Sequence, residues 1–194
     1  AWALRTATAQ AAGWTRDGAP QGIALQLAVN VSTRQLERAE FAEVVHSALA
    51  QSGFPPHRLT LEITESALMR DPELMLSQLN ALKSLGITIA IDDFGTGYSS
   101  LAYLARLPIT LVKIDRSFVE GLSAGHRDAR LASMIVGIGE SLGLSTVAEG
   151  VEGVQQVADL RELGCRMAQG FYFAHPLSPD DLEQLLTKGP ITTS

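Results

Sequence analysis

The chain has 194 residues, 46% of them hydrophobic, which provide the apolar material for one domain core and leave little room for a second. Its formal net charge of −6 gives no general basic surface, so binding to DNA or RNA polymers is not expected. The single cysteine excludes an internal disulfide and multi-cysteine zinc patterns, and no apolar run approaches the roughly 20 residues of a membrane helix, so we expect a cytoplasmic domain.

Strand-like and helix-like segments alternate along the chain. The first five residues read as the middle of an amphipathic helix without a capping residue before it, so we expect that an upstream segment has been removed. In chain order, the patterns then predict a strand at 23–31, a helix at 40–52, a strand at 59–63, a helix at 71–85, a strand at 87–92, a helix at 99–105, a strand at 111–114, a helix at 128–142, a strand at 145–148, a helix at 154–163, a strand at 166–169 and a helix at 179–187.

Repeated strand and helix units of this kind predict an α/β fold with a parallel sheet. Several predicted strands are continuous aliphatic runs, which is typical of strands that are covered on both faces. The sheet could be closed into a barrel or open and doubly wound. Since an eight-unit barrel takes about 250 residues, the chain is short of one by roughly a strand or two.

Polar residues stand at the carboxyl ends of the predicted strands, where the strands themselves do not need them. They are Asn30, Glu62, Asp92, Asp93, Lys113, Asp115, Glu149 and Gln169. Each has an ordinary reading alone: residues 92–97 could be only a turn, Glu62 an exposed acid, Lys113 a surface lysine paired with its neighbour, and Asn30 a cap. Because the strand ends of a parallel barrel open onto one face, their joint occurrence favours a functional site.

Metal-assisted hydrolysis is the chemistry that these side chains suit. Carboxylate and amide oxygens are hard ligands that match Mg²⁺ or Mn²⁺. Asp92 and Asp93 are adjacent at one strand end and could hold two ions, which clamp a phosphodiester and lower the pKa of a bound water. Lys113 would then orient that water or stabilise charge on the phosphate. Without metal, carboxylates crowded in this way would repel one another and raise each other's pKa.

Six short motifs, in this order, resemble those of EAL-type cyclic di-GMP phosphodiesterases, and the resemblance extends from residue 2 to residue 177. The motifs are Asn30-Val31-Ser32, Glu62-Ile63-Thr64-Glu65, Asp92-Asp93-Phe94-Gly95, Lys113-Ile114-Asp115, Glu149-Gly150-Val151-Glu152 and Gln169-Gly170. The resemblance implies a TIM-barrel-like (β/α)8 fold with one reversed strand, two divalent metal ions, and hydrolysis of cyclic di-GMP to linear pGpG.

The resemblance also assigns roles to individual residues. Asn30, Glu62, Asp92 and Asp93 resemble the metal ligands, with Glu149 beside the second metal, and Lys113 resembles the lysine that positions the hydrolytic water. Asp93 and Glu149 are therefore also catalytic candidates. Residues in substrate-binding or loop-bracing positions are Glu65, Asp115, Glu152 and Gln169. The loop at 94–100 is similar to a mobile element that links dimer contacts to metal binding, and a homodimer is implied.

The sequence departs from the family pattern in one respect, because the name-giving Glu-Ala-Leu motif does not occur in it. We expect that the chain is a single EAL-type domain over residues 1–194 that is truncated before its first strand, downstream of a sensory or GGDEF-type domain. A catalytically silent cyclic di-GMP receptor or signalling module is the alternative function. An open-sheet phosphate-binding protein is disfavoured, because no Gly-rich phosphate loop follows the first strand.

Overall fold

A computed structural model of the chain describes residues 2–17, 25–97, 100–122 and 126–187. The elements in chain order are α1 (Trp2–Asp17), β1 (Leu27–Asn30), α2 (Thr33–Leu36), α3 (Phe41–Ser52), a 3-10 turn (Pro56–Arg58), β2 (Leu59–Thr64), α4 (Glu65–Leu68), α5 (Pro72–Ser84), β3 (Thr88–Phe94), α6 (Leu101–Leu104), β4 (Leu111–Ile114), α7 (Arg116–Glu120), α8 (His126–Leu142), β5 (Ser145–Ala148), α9 (Val154–Glu162), β6 (Met167–Ala168) and α10 (Pro179–Thr187). Within these described residues, none of the helices combines the length and apolar character that crossing a bilayer requires.

All six predicted strands and six predicted helices occur, and several of them have shifted ends. The first strand begins at Leu27 rather than at residue 23, and residues 18–24 lie outside the described part of the chain. The third strand continues two residues further than predicted, to Phe94, and the last strand is shortened to Met167–Ala168. The short helices α2, α4 and α7 were not predicted, because four or five residues carry no helical periodicity.

The chain divides into two compact units, and the first consists of Ala1–Glu62, Glu73–Thr88 and Pro176–Ser194. In this unit β1 and β2 pair in parallel, with Leu27 opposite Leu59 and Asn30 opposite Glu62. Helix α1 contacts α3 and β1 through one buried face. The apolar side chains of this core include Leu4, Ala11, Val45, Leu49, Leu59, Leu61, Met75, Leu79 and Leu82.

The second unit consists of Ile63–Pro72 and Ile89–His175. Here β3, β4, β5 and β6 pair in parallel in that order, so their carboxyl ends lie at one edge. Helix α8 packs on β4 and β5. Ile89, Ala90 and Ile91 are three successive residues that are all buried, as expected for a strand that is covered on both faces.

Two glycines of α8 lead to a prediction about how closely that helix packs on the sheet. A Cβ at buried Gly139 would lie 2.7 Å from Thr146 Cγ2 of β5, whereas a Cβ at Gly137 would meet nothing within 4 Å. We expect Gly139→Ala to lower the free energy of unfolding by about 1–3 kcal/mol through overpacking. The matched variant Gly137→Ala should raise it by about 0.5–1 kcal/mol, because alanine loses less backbone entropy in a helix. Urea denaturation measures both, and equal changes of the same sign would contradict the close packing at Gly139.

Candidate metal centre

Asp92 and Asp93 lie at an irregularity near the end of β3. The register between β3 and β4 shifts between Ile91 and Phe94, and Asp93 has a left-handed backbone with φ of 54°. In a regular strand, successive side chains point to opposite faces, so two adjacent aspartates would be separated. The irregular backbone instead brings ligand oxygens of Asp92, Asp93 and Glu149 within 4.8 Å of one another.

Lys113 lies between two of these carboxylates. Its Nζ is 3.0 Å from Asp92 Oδ1 and 2.5 Å from Glu149 Oε1, and its side chain is only 5% exposed. A buried ammonium needs such partners, because an unpaired charge away from water is strongly unfavourable. The interpretation of Lys113 as an exposed lysine paired with its neighbour is therefore wrong. The lysine links the ends of β3, β4 and β5.

Negative charge exceeds positive charge in this cluster, since three carboxylates surround one ammonium. Burial, followed by the negative charges of Asp92 and Asp115 and a side-chain hydrogen bond with Asp115, raises the pKa of the Asp93 carboxyl, while the positive charge of Lys113 acts in the opposite direction. A cation would relieve this repulsion, and the oxygen ligands suit a hard divalent ion. The three carboxylates are thus close enough together to hold a metal ion, and their assignment as metal ligands stays a prediction.

Glu149 is held in place from two sides. Its backbone N–H donates to the carbonyl of Ile114 at 3.1 Å, and its Oε1 accepts a hydrogen bond from Gln169 Nε2 at 2.7 Å. Gln169 itself donates its backbone N–H to Ala148 at 2.8 Å. The glutamine therefore orients the carboxylate of Glu149. Contact of Gln169 with a substrate stays a prediction.

Asp115 and Glu152 engage neighbours around the cluster. Asp115 directly precedes α7 as its N-cap, and its carboxylate accepts hydrogen bonds from Ser117 N at 3.0 Å and from Ser117 Oγ at 2.5 Å. Glu152 is exposed and accepts a hydrogen bond from Arg116 Nη2 at 2.7 Å. Substrate binding by either residue stays a prediction.

Glu65 contacts the loop that follows β3. Its side chain is buried, and Oε2 accepts hydrogen bonds from Gly95 N at 3.0 Å and Gly97 N at 3.3 Å. A side chain at Gly97 would collide with this carboxylate, since a Cβ there would lie 2.7 Å from Glu65 Oε1. The loop backbone therefore approaches Glu65 closely. Tyr98 and Ser99, within the loop at 94–100, lie outside the described residues.

Replacing Glu65 by alanine should destabilise the protein, because two backbone N–H groups lose their acceptor. Gly95 and Gly97 are exposed, so water can replace part of the lost hydrogen bonding, and we expect the free energy of unfolding to fall by about 1–3 kcal/mol. Denaturation in urea measures the change. Glu183→Ala, at an exposed position of α10, is the matched control and should change stability by less than about 0.5 kcal/mol. Equal stabilities of the two variants would refute the bracing role.

Comparison with known proteins identifies the family, because the EAL domain model matches residues 1–176. The chain belongs to the EAL domain family. The cyclic di-GMP phosphodiesterase NbdA of Pseudomonas aeruginosa is 46% identical over 162 residues, which are 84% of this chain and 21% of NbdA. The bifunctional diguanylate cyclase/cyclic di-GMP phosphodiesterase MucR of the same organism is 42% identical over 181 residues, which are 93% of this chain and 26% of MucR. The EAL domain described here thus spans about a quarter of the length of these relatives.

Solved structures show that the EAL domain has the expected α/β fold. The PaMucR phosphodiesterase in its c-di-GMP complex matches with a TM-score of 0.88 and 41% identity, over 93% of this chain and 72% of that chain. This likeness confirms the TIM-barrel-like architecture and not the alternative of an open, doubly wound sheet. The manganese/cyclic di-GMP complex of BlrP1 from Klebsiella pneumoniae has a TM-score of 0.81 and 29% identity, over 90% of this chain and 43% of that chain.

The remaining two predicted ligands of the EAL domain, Asn30 and Glu62, lie in the first unit. They are register partners at the carboxyl ends of β1 and β2, and Val31 N donates to the Glu62 carbonyl at 2.8 Å. Glu62 is 8% exposed. The structure thus places these two side chains at neighbouring strand ends. Their assignment to the metal centre of Asp92, Asp93 and Glu149 stays a prediction.

Arg116 contacts Glu152, one of the predicted site residues, but was not itself singled out from the sequence. It pairs with Glu152 and also with Glu120, one turn further along α7. The spacing of three residues, Lys113 to Arg116 and Glu149 to Glu152, was the available signal. It was not usable without the parallel pairing of β4 and β5, which aligns the two segments.

Proposed function

We propose that this EAL domain, in its full-length protein, hydrolyses one phosphodiester bond of cyclic di-GMP to give linear pGpG. The observation that carries the proposal is the placement of Lys113 between Asp92 and Glu149, with Asp93 beside them. The names of NbdA and MucR, and the cyclic di-GMP in the MucR complex, support the substrate.

The proposed cofactor is a pair of Mg²⁺ or Mn²⁺ ions, held by Asp92, Asp93 and Glu149 together with Asn30 and Glu62. When bound, such ions neutralise phosphate charge and lower the pKa of a water molecule. The manganese in the BlrP1 complex and the excess of carboxylates in this cluster support the assignment.

The side chains of the domain then have distinct tasks. Lys113 carries a positive charge that the two flanking carboxylates stabilise. It orients the attacking water or stabilises the negative charge that develops on the phosphate. Gln169 holds Glu149 in orientation through its amide. In the reaction, the water gives up a proton as its oxygen bonds to phosphorus, the P–O3′ bond breaks, and the released 3′ oxygen takes up a proton, so that one water molecule is added across the bond.

A product assay combined with binding calorimetry on the full-length protein tests the proposal against the silent receptor. We expect linear pGpG to accumulate with Mg²⁺ or Mn²⁺ and to stop on chelation with EDTA. Tight cyclic di-GMP binding with no product in the presence of either metal would instead establish the receptor. The enzyme is favoured because the carboxylates and the lysine are present together and in mutual contact.

The proposal extends to the organisation of the full-length protein. MucR is a bifunctional cyclase and phosphodiesterase, which supports an upstream GGDEF-type or sensory domain here. We further propose a homodimer with its EAL domains in the cytoplasm, and light scattering of the full-length protein would measure its oligomeric state.

A further inference from the structure

A second pair of opposite charges, Arg116 and Glu152, lies beyond the carboxyl ends of β4 and β5, further along the chain than the pair of Lys113 and Glu149. Arg116, the first residue of α7, donates from Nη2 to Glu152 Oε1 at 2.7 Å and from Nε to Glu120. Arg116 and Glu152 each lie three residues after the members of the inner pair. The outer pair is about half exposed, whereas Lys113 is buried.

The stem of Arg116 covers Gly150, the residue directly after Glu149. A Cβ at Gly150 would lie 2.8 Å from Arg116 Cβ, and the glycine has a left-handed backbone with φ of +68°. A side chain there would therefore displace the arginine, and an L-residue would also be strained. Arg116 thus contacts the segment 149–152 at Gly150 and again at Glu152.

Hydrogen bonds from backbone N–H groups hold the other side of this segment. Val151 N donates to the Gln169 carbonyl at 3.1 Å, and the N–H groups of Glu152 and Gly153 donate to Gln156 Oε1 at 2.7 and 3.1 Å. These bonds tie the segment to β6 and α9. Contacts from the side of α7 come from Arg116, so this residue and these hydrogen bonds hold the segment between them.

We propose that Arg116 is a positioning residue that fixes Glu149 for metal binding by holding Glu152 and covering Gly150. A direct phosphate contact is disfavoured, because its guanidinium already lies between two carboxylates and the three groups together carry a net negative charge. The inference rests on the proposed metal-dependent function. It assigns to Arg116 an effect on Glu149 rather than a place in the reaction.

Titration of the full-length protein with Mn²⁺ alone, followed by calorimetry, tests the inference. We expect Arg116→Ala to weaken Mn²⁺ binding by about 10–100-fold, the range seen when residues that orient metal ligands are replaced. The kcat should fall by a similar factor, with the KM for cyclic di-GMP nearly unchanged. Arg116→Lys should recover part of the affinity, because it keeps the charge and most of the stem.

Glu120→Gln is the matched control, since it removes the other partner of Arg116 and leaves the pair with Glu152. It should bind Mn²⁺ as the wild type does. The midpoint of urea denaturation should stay unchanged in Arg116→Ala, because the pair with Glu152 is exposed.

Unchanged Mn²⁺ affinity in Arg116→Ala would overturn the inference, as would a loss of affinity that follows a loss of folded protein. The wild type could also bind Mn²⁺ but form no pGpG, while Arg116→Ala binds Mn²⁺ more weakly. That result would refute the phosphodiesterase and leave the role of Arg116 intact. A wild type that binds no Mn²⁺ would refute both.

Discussion

Replacing Lys113 with methionine is expected to lower the kcat for cyclic di-GMP hydrolysis by about 10²–10⁴-fold. Methionine keeps much of the length of the buried side chain but removes the charge that faces Asp92 and Glu149. Loss of a positioned charged or proton-transferring group typically reduces rates by this factor. Product formation by the full-length variant, measured with saturating Mn²⁺, checks the value.

Metal binding distinguishes this role of Lys113 from that of a metal ligand. Because a positive charge is removed from beside the carboxylates, Lys113→Met should bind Mn²⁺ at least as tightly as the wild type. Lys83→Met, in the last turn of α5, is the control and should keep full activity. Retention of most of the kcat in Lys113→Met would remove the lysine from the proposed mechanism.

The variant Asp93→Asn should have the opposite effect on metal binding. Asparagine tolerates the left-handed backbone observed at this position, so the substitution removes a negative charge without straining β3. We expect Mn²⁺ affinity to fall on the order of 10-fold or more and product formation on the order of 100-fold or more, since even residues that only orient ligands contribute 10–100-fold. Calorimetry with Mn²⁺ and chromatography of pGpG measure the two changes.

An exposed aspartate in the first turn of α10 provides the control for this charge removal. Asp180→Asn should leave both Mn²⁺ affinity and turnover at wild-type values. Undiminished pGpG formation by Asp93→Asn would defeat the assignment of Asp93 to a metal ion. Weaker metal binding in Asp93→Asn, together with undiminished binding in Lys113→Met, would show that Asp93 is a metal ligand and that Lys113 is not.

The arrangement of strands could be predicted from the sequence because it depends on local patterns. Aliphatic runs such as residues 87–91 indicate strands covered on both faces, and their polar ends indicate an edge where functional groups meet. The family motifs gave the fold and the candidate residues of that edge. These features depend on short stretches of sequence and can therefore be recognised without the structure.

The contacts of individual side chains could not be predicted in the same way. The partners of Lys113 come from two other strands, so its burial depends on register rather than on its own neighbours. The irregularity in β3 depends on the backbone of a single aspartate, which has no periodic signal. The contact of Arg116 with Gly150 depends on a loop conformation and likewise became visible only in the structure.

The left-handed backbone of Asp93 limits which substitutions an evolving lineage can tolerate there. Most residue types would lose the carboxylate and strain the chain at once, whereas asparagine and glycine lose only the carboxylate. Both are reached from an aspartate codon by a single nucleotide change. If Asp93 holds a metal ion as proposed, one mutation at this position would remove a metal ligand while sparing the architecture, so few mutations would separate a phosphodiesterase from a receptor that does not hydrolyse its ligand.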